Sequence, residues 1–381
     1  MRSSRLRRDR KRVAVVLDEL TTGGVPRAAV AQAACLDPGE WQVEIVCLER
    51  AQRPANEARL PPHVPVRRPG RRGLVRWLRA FAPDLVHAHR AHATLACRVA
   101  LPFAGDSALV ATCHELSDWR AQRHWPVRLL VRSALHHCGA VLAATDAVAA
   151  AIAVHDPGLA ARTRVVRNGT DLSAFAGVRG MRAAAREVLG YRPASFVLGS
   201  VGRLEPRKGL DVLLDAASCA LPRVPGLELL LVGDGVERER LVARAAQLGM
   251  LARVRFVGER TDVRPYLAAF DLFAAPLRGD GAGSALLEAL AAGIPVAGAP
   301  SGGIPELLAG GEAGWLVPRT VEAWCEAIVR ASRSPAELER MSAAGLRRAE
   351  AFSIEHVRQQ LVSCYQSLLG DAGDVAGEAT A

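Results

Sequence analysis

Arg203 and Lys208 stand five residues apart in the segment Gly202-Arg203-Leu204-Glu205-Pro206-Arg207-Lys208-Gly209, just after the apolar run Phe196 to Val201. A strand ending at Val201 and a helix starting at Gly209 would bring both cations to one strand end. Such a pair suits a diphosphate, Arg by bidentate contact and Lys as a compact point charge. A solvated basic loop would use the same residue types. Composition favours the ligand reading, because 47 of the 49 basic residues are Arg and two are Lys. A lysine at 208 therefore departs from a strong bias.

Three further places carry potential chemistry. The first is Asp280-Gly281-Ala282-Gly283-Ser284-Ala285-Leu286-Leu287-Glu288, which runs into a helix ending near Gly293-Ile294-Pro295. Glycines at a helix N-terminus expose backbone N–H groups to hydroxyls or anions. Glu288 lies about one turn inside among leucines and alanines, so if buried it needs a partner; an exposed helical stripe is the other reading. The second is Thr22-Gly23-Gly24-Val25, between the first strand and a helix, where a ligand contact and a tight turn call for the same glycines. The third is histidine-rich, with His87, His89 and His92 after one strand and His114-Glu115 after the next. No carboxylate cluster accompanies the first three, and no Asp-x-Asp pair occurs in the chain, so a diphosphate–metal site has no obvious ligands. His114 fits better as a donor to a substrate hydroxyl.

The elements that must hold these residues follow from patterning. Short β-branched runs alternate with longer Ala/Leu/Arg segments of helical period, the mark of parallel α/β sheets. The first half predicts strands at 13–17, 43–48, 84–88, 108–112, 140–143 and 164–166, with helices including 25–36, 73–81, 92–101 and 126–137. The second half predicts strands at 196–201, 227–232, 254–257, 271–275, 295–297 and 315–317. Its helices are expected near 209–219, 235–248, 263–269, 284–292, 304–309 and 320–331, then 336–350 and 354–369. At 381 residues and 50% apolar content the chain supports two doubly wound domains. Ligands of such sheets sit at the carboxyl ends of strands.

Charge is uneven. The net charge is +10, yet residues 1–12 carry +6 and residues 50–79 carry +8, which leaves −4 for the rest. Arginine-rich coding accounts for such patches, and so does attraction to an anionic membrane or an acidic substrate. The basic runs lack a groove-reading motif, so nucleic acid is not an expected partner. Eight cysteines without a CxxC pair read as buried thiols of a reducing compartment. The first apolar run meets Asp18-Glu19 too soon for a signal peptide, and no long apolar stretch predicts a membrane span. A cytoplasmic location is expected, with peripheral attachment at the inner face of the membrane.

Together these motifs resemble the retaining glycosyltransferases of family 4 (glycosyl transferases group 1). The residues that carry the resemblance are Gly23-Gly24, His114, Asn168-Gly169, Gly202-Arg203 with Lys208-Gly209, Val232-Gly233-Asp234-Gly235, Phe256-Val257-Gly258, Glu288 with Gly293-Ile294-Pro295-Val296, and Gly302-Gly303-Ile304-Pro305-Glu306. The likeness covers roughly 13–368, dense in the C-terminal half and thin in the N-terminal half. It implies the α/β GT-B fold, two facing Rossmann-like doubly wound domains with a cleft between them. The division it implies is a basic tail (1–12), an acceptor-side domain (13–171), a connector (172–194) and a nucleotide-sugar-binding domain (195–352). A C-terminal helix (353–369) packing back across the domains and a flexible tail (370–381) complete it.

The resemblance also implies roles. Arg203 and Lys208 would hold the donor diphosphate and offset its charge on departure, in place of a metal; no cofactor is expected. Glu288 would accept hydrogen bonds from ribose hydroxyls. Asp280, with Gly281, Ala282, Gly283 and Ser284, would hold the transferred sugar. Gly202 and Gly24 would approach the donor, His114 would contact a sugar hydroxyl, and the base would lie near Arg260 and Thr261. The family pattern has a glutamate where this chain has Asp280, one methylene shorter, and an aromatic where it has Ala282. The implied function is hexose transfer from a nucleotide-diphosphate sugar to a glycan or lipid-linked acceptor in cell-envelope polysaccharide or glycolipid biosynthesis. A soluble acceptor, a nucleotide-sugar 2-epimerase and a non-catalytic nucleotide-binding scaffold are the alternatives.

Overall fold

The computed structural model describes residues 10–20, 23–49, 57, 60–115, 125–279 and 283–370. The expected tail at 370–381 falls almost wholly outside the described residues, as does most of the basic tail. Contacts divide the chain into two units, Met1–Gly169 with Ile354–Ala381, and Thr170–Ser353.

In the first unit the apolar runs pair as a seven-stranded sheet ordered β3-β2-β1-β4-β5-β6-β7. The strands are β1 (Lys11–Leu17), β2 (Trp41–Cys47), β3 (Val66–Arg67), β4 (Leu85–His89), β5 (Ala108–Cys113), β6 (Ala140–Ala143) and β7 (Thr163–Val165). Every pairing is parallel. Between them lie α1 (Gly24–Ala34), α2 (Gly70–Phe81), α3 (Ala91–Ala100), α4 (Trp125–His136), α5 (Asp146–His155) and α6 (Pro157–Ala160). The side-chain period of two sorts each strand between helix layers. Val13, Val15 and Leu17 join Val43, Ile45 and α1, whereas Ala14 and Val16 join Val46, Val86, α2 and α3. β1 begins two residues before its apolar run, because the Arg12 amide donates to Asp84 at 2.9 Å and its guanidinium to the Phe81 carbonyl at 2.7 Å.

The second unit repeats the order with six strands, β10-β9-β8-β11-β12-β13. It comprises α7 (Arg182–Val188), β8 (Phe196–Val201), α8 (Leu210–Ala220), β9 (Leu227–Val232), α9 (Arg238–Gln247), β10 (Val254–Gly258), α10 (Arg264–Ala269), β11 (Leu272–Ala275) and α11 (Ser284–Ala291). β12 (Val296–Gly298), α12 (Ile304–Leu307), β13 (Trp315–Leu316), α13 (Val321–Arg333) and α14 (Pro335–Glu350) complete it. Residues 172–194, expected as a connector, contain α7 and are built into this unit. Arg186 of α7 pairs with Asp271, which also accepts the Val197 amide at 2.7 Å. In both sheets the strand order reverses beside the first strand, so ligands are expected there, at the carboxyl ends.

Helix α15 (Ile354–Leu369) follows the second unit in sequence but packs on the first sheet through Val357, Leu361, Cys364 and Tyr365. The Tyr365 hydroxyl lies 2.7 Å from Nδ1 of His87 in β4, with both groups buried. Replacing Tyr365 with Phe strands that nitrogen in the core. We expect the first unit to lose about 1–3 kcal/mol of stability, the cost of an unsatisfied buried polar group, read as a lower urea midpoint. An unchanged midpoint contradicts this anchoring.

Candidate active site

In the second unit three strand-end loops close on one another through backbone. The Gly202 amide donates to the Val232 carbonyl at 2.9 Å, and the Leu204 amide to the Asp234 carbonyl at 2.8 Å. Gly233 (φ +138°) lies so near that a Cβ there would stand 2.0 Å from the Gly202 carbonyl oxygen. Gly209 (φ +66°) leaves the same lack of room, 2.1 Å from the Pro276 oxygen. Only glycine fits either position. The Arg278 amide then donates to the Arg207 carbonyl at 2.6 Å, tying the loop after β11 to the loop after β8.

Arg203, Arg207 and Lys208 stand on this frame. Glu205 binds Arg203 through Oε1 and Arg207 through Oε2, each at 2.8 Å. Burial raises the Glu205 carboxyl, but the Arg207 hydrogen bond and the charges of Arg203, Arg207 and Lys208 outweigh it and hold the group below its ordinary range. Residues Pro206–Lys208 form one 3-10 turn that carries the Lys208 side chain back over Gly202, its Nζ 3.2 Å from where a Cβ of that glycine would be. The signal for Glu205 in the sequence is its place between two arginines, at i−2 and i+2.

On the neighbouring strand, Gly283 (φ +67°) caps α11, which begins at Ser284. Glu288 is buried, 5% exposed, on a helix whose other buried residues are aliphatic. The exposed-stripe reading of Glu288 is thereby set aside. Asp280, Gly281 and Ala282 lie outside the described residues. Beside them Arg278 binds both oxygens of Asp211 at 2.8–2.9 Å, and the Gly279 amide donates to Ser301 at 3.1 Å. Arg260 donates to the Tyr266 hydroxyl at 2.8 Å.

In the first unit Gly24 opens α1 and is exposed. His87, His89 and His114 are buried side by side, with ring centroids 4.3 Å apart for the tilted pair His87–His89 and 5.3 Å for the stacked pair His89–His114. His92 is exposed on α3. Among the described residues no three His, Cys, Asp or Glu side chains are placed to hold a metal. Strand alternation puts His87, His89, Thr112 and His114 on one face, a pattern visible in the sequence once the strands are drawn. Two other features went unread. Arg90, after β4, sits at φ +73° and ψ 164°, a region other residues leave to glycine. Its amide donates to the Thr112 carbonyl at 3.0 Å. Asp18, after β1, has its carboxyl raised by burial against the pull of His92, Arg71 and Arg90.

A glycosyltransferase family 4 model matches residues 22–174 and a group 1 glycosyl transferase model matches residues 195–334. The chain belongs to the group 1 glycosyltransferases of the family 4 type. The D-inositol 3-phosphate glycosyltransferase of Rhodococcus erythropolis is 35% identical over 215 residues, 54% of this chain and 48% of its own. The lipopolysaccharide core biosynthesis mannosyltransferase LpsB of Rhizobium meliloti is 32% identical over 194 residues, 49% of this chain and 55% of its own. The chain thus spans about half the length of the curated relatives it matches. Among solved structures, Anabaena HepE in complex with UDP-glucose aligns with a TM-score of 0.81 at 23% identity, over 93% of this chain and 99% of that one. WaaG, a glycosyltransferase involved in lipopolysaccharide biosynthesis, aligns at 0.71 and 18%, over 92% and 98%. These likenesses are of fold, and they make the two parallel-sheet units GT-B domains.

Burial pushes the His114 pKa down to about 3, helped by the Arg90 charge, and holds His87 and His89 well below the ordinary histidine range. An unfolded histidine titrates near ~6.5. Below that value the unfolded chain binds protons that the folded chain refuses, so this stability is full above it and is lost as pH falls toward 3. Each histidine contributes a slope of up to about 1.4 kcal/mol per pH unit. We expect the Tm of the first unit to fall between pH 7 and 5, and His114→Gln to flatten that fall. A Tm independent of pH over this window contradicts neutral burial.

Proposed function

We propose that the chain is a retaining hexosyltransferase that moves a sugar from a nucleotide-diphosphate donor to a glycan or lipid-linked acceptor of the cell envelope. The observation that carries this reading is the preorganised cation pair. Arg203 and Lys208 occupy a loop locked by glycine-only contacts at the carboxyl edge of the second sheet, beside the loop leading to α11. The likeness to HepE, solved with UDP-glucose, supports a nucleotide-sugar donor.

The chemistry follows from charge. As the bond from the anomeric carbon to the diphosphate oxygen breaks, negative charge builds on the leaving group and positive charge on the sugar. Cations already in place stabilise that separation without reorganisation. Arg203 leaves Glu205 for a phosphate oxygen, and Lys208 supplies a second charge. Glu288 accepts the ribose hydroxyls, while Asp280 and the backbone of Gly281 to Ser284 hold the transferred sugar. Gly202 and Gly24 allow close approach to the donor, and His114 touches a sugar hydroxyl. The acceptor attacks from the face that the diphosphate leaves, a phosphate oxygen takes its proton, and configuration is retained with no protein nucleophile.

Lys208→Ala is expected to lower kcat about 10²–10³-fold, the effect of losing one charge-stabilising donor. Unchanged turnover at saturating donor overturns the role of Lys208. Inversion at C2 of the donor's sugar with no acceptor present would favour the epimerase. A protein that binds donor and turns over nothing would favour the scaffold.

For the acceptor, the likeness to LpsB, a lipopolysaccharide core biosynthesis mannosyltransferase, supports a lipid-linked glycan, and we propose that the protein meets it as a cytoplasmic, peripheral enzyme at the inner face of the membrane. No described helix is long and apolar enough to cross a membrane. Of the basic segment 50–79, Arg67 is paired to Glu44 and Arg68 to Glu57. The exposed Arg71, Arg72, Arg76 and Arg79 line the outer side of α2, whose Leu74, Leu78 and Phe81 are buried. A variant with these four replaced by Gln should bind anionic liposomes up to about 10³-fold more weakly in cosedimentation, through loss of about 1 kcal/mol per basic group near the surface. Equal binding rules out this face. The relative that is a D-inositol 3-phosphate glycosyltransferase favours a soluble acceptor as the second reading, which transfer to a free polyol phosphate would support.

A further inference from the structure

We propose that Cys219 and Cys325 form a two-electron redox site, at which a low-molecular-weight disulfide of the glutathione class oxidises the two thiols to a reversible disulfide that staples α8 to α13.

Helix packing brings the pair together across a sequence separation of 106 residues. Cys219 lies in the last turn of α8 (Leu210–Ala220) and Cys325 in the second turn of α13 (Val321–Arg333). Ala216, Ala217 and Ala220 of α8 are buried in one cluster with Trp324, Cys325 and Ile328 of α13. Side chains as short as alanine let two helix backbones approach closely. The Cys325 thiol donates to Cys219 Sγ across 2.7 Å. Arg223, just past α8, binds both carboxylate oxygens of Glu326 and ties the same helices together from the solvent side. A disulfide holds its sulfurs about 2.05 Å apart, so closure takes about 0.7 Å of movement from the present 2.7 Å.

Exposure divides the work between the two sulfurs. Of the eight cysteines, all among the described residues, Cys219 alone is exposed, against the expectation of buried thiols. Cys325 is buried. Burial and the hydrogen bond to Cys219 push its thiol up to about 11, against the pull of the Arg223 guanidinium. The thiolate is the attacking species, and it needs access to its target. Cys219 therefore meets the soluble disulfide first. Its sulfur releases a proton and bonds to one glutathione sulfur; the glutathione S–S bond breaks, and the other half leaves as a thiolate that takes up a proton. Cys325 then gives up its proton and attacks Cys219 Sγ. The mixed disulfide breaks, and the second glutathione leaves as a thiolate and takes that proton. Two protein thiols are oxidised, and one glutathione disulfide is reduced to two thiols. Contact between the sulfurs makes the second step intramolecular, which offsets the small thiolate fraction of Cys325.

The bond closes a loop that holds β9 to β13, five of the six strands of the second sheet. Crosslinks across long loops restrict the unfolded chain most. Oxidation thus stabilises the unit that bears Arg203 and Lys208, and reduction releases it. Where thiols are kept reduced the pair stands open, and it closes as the surroundings shift toward disulfide.

The unsubstituted full chain, in its native state near neutral pH, is incubated with oxidised glutathione and quenched in acid. Its remaining thiols are alkylated, and it is digested for mass spectrometry without reductant. Peptides joined through Cys219 and Cys325 are expected, with a rise of about 5–15 °C in the Tm of the second unit, both reversed by dithiothreitol. Cys325→Ala should take up one glutathione at Cys219 and hold it; should that variant not fold, the result on the unsubstituted chain decides alone. Cys219→Ser, at an exposed position, should form neither adduct nor crosslink and should keep the Tm of the reduced protein. Absence of the joined peptides, a lasting glutathione adduct at Cys219 of the unsubstituted chain, or a crosslink to a second copy overturns the proposal. Uptake of glutathione at Cys325 in Cys219→Ser overturns the order of attack. A crosslinked chain with an unchanged or lower Tm overturns the staple.

Discussion

Close backbone packing at the carboxyl edge of the second sheet is the constraint from which the candidate site follows. Gly233 presses on the Gly202 carbonyl and Gly209 on that of Pro276, at separations that no Cβ permits. These contacts fuse the loops after β8, β9 and β11 into one rigid surface. Arg203 and Lys208 are therefore held before any anion arrives. In the proposed transfer, their stabilisation of a leaving group is not diluted by the cost of gathering them. The 3-10 turn between Pro206 and Lys208 matters for the same reason, since it fixes the stem of the lysine over Gly202.

Ion pairing separates structural from working arginines in a chain that has many. Arg186 is buried and binds Asp271 and two backbone carbonyls, those of Ala269 and Ser195. Removing either partner would leave an uncompensated charge in the interior, so this pair is part of the frame. The Arg203–Glu205 pair is different. Arg203 has 41% of its side chain exposed, and pairs of that kind contribute about 0–1 kcal/mol. A diphosphate offers stronger, bidentate contact, so the guanidinium can change partners at small cost. Glu205 keeps the cations from repelling one another while the site is empty.

Both sheets were legible in the sequence because buried parallel strands read as β-branched runs, and the switch points placed the loops. The two-residue β3 was not, since Val66-Arg67 lies among arginines and pairs only as an edge to Ile45 and Val46. The cation pair was legible through the rarity of lysine. Glu205 was not weighed, because a carboxylate between arginines looks like ordinary neutralisation until the distances are known. The histidines were read singly by spacing along the chain, as ligands or donors. What joins them is spacing across strands, together with Tyr365 from a helix nearly three hundred residues away. No local pattern encodes that contact. Nor does composition hint at the positive φ of Arg90, which tertiary hydrogen bonds impose.

The two units share one strand order and differ in the chemistry of their ligand edges, and burial explains the difference. At the second sheet the cations stay half exposed, where keeping a charge costs little, and they can answer a charged diphosphate. At the first sheet the histidines are sealed, and ionising one there would cost more than the stack returns. Such a face is built of neutral donors and acceptors of fixed direction, and a misplaced partner there leaves a buried polar atom unpaired. Charge thus stays accessible at the arginine-bearing edge, and the histidine-bearing one is neutral. That division follows from where each side chain sits relative to water.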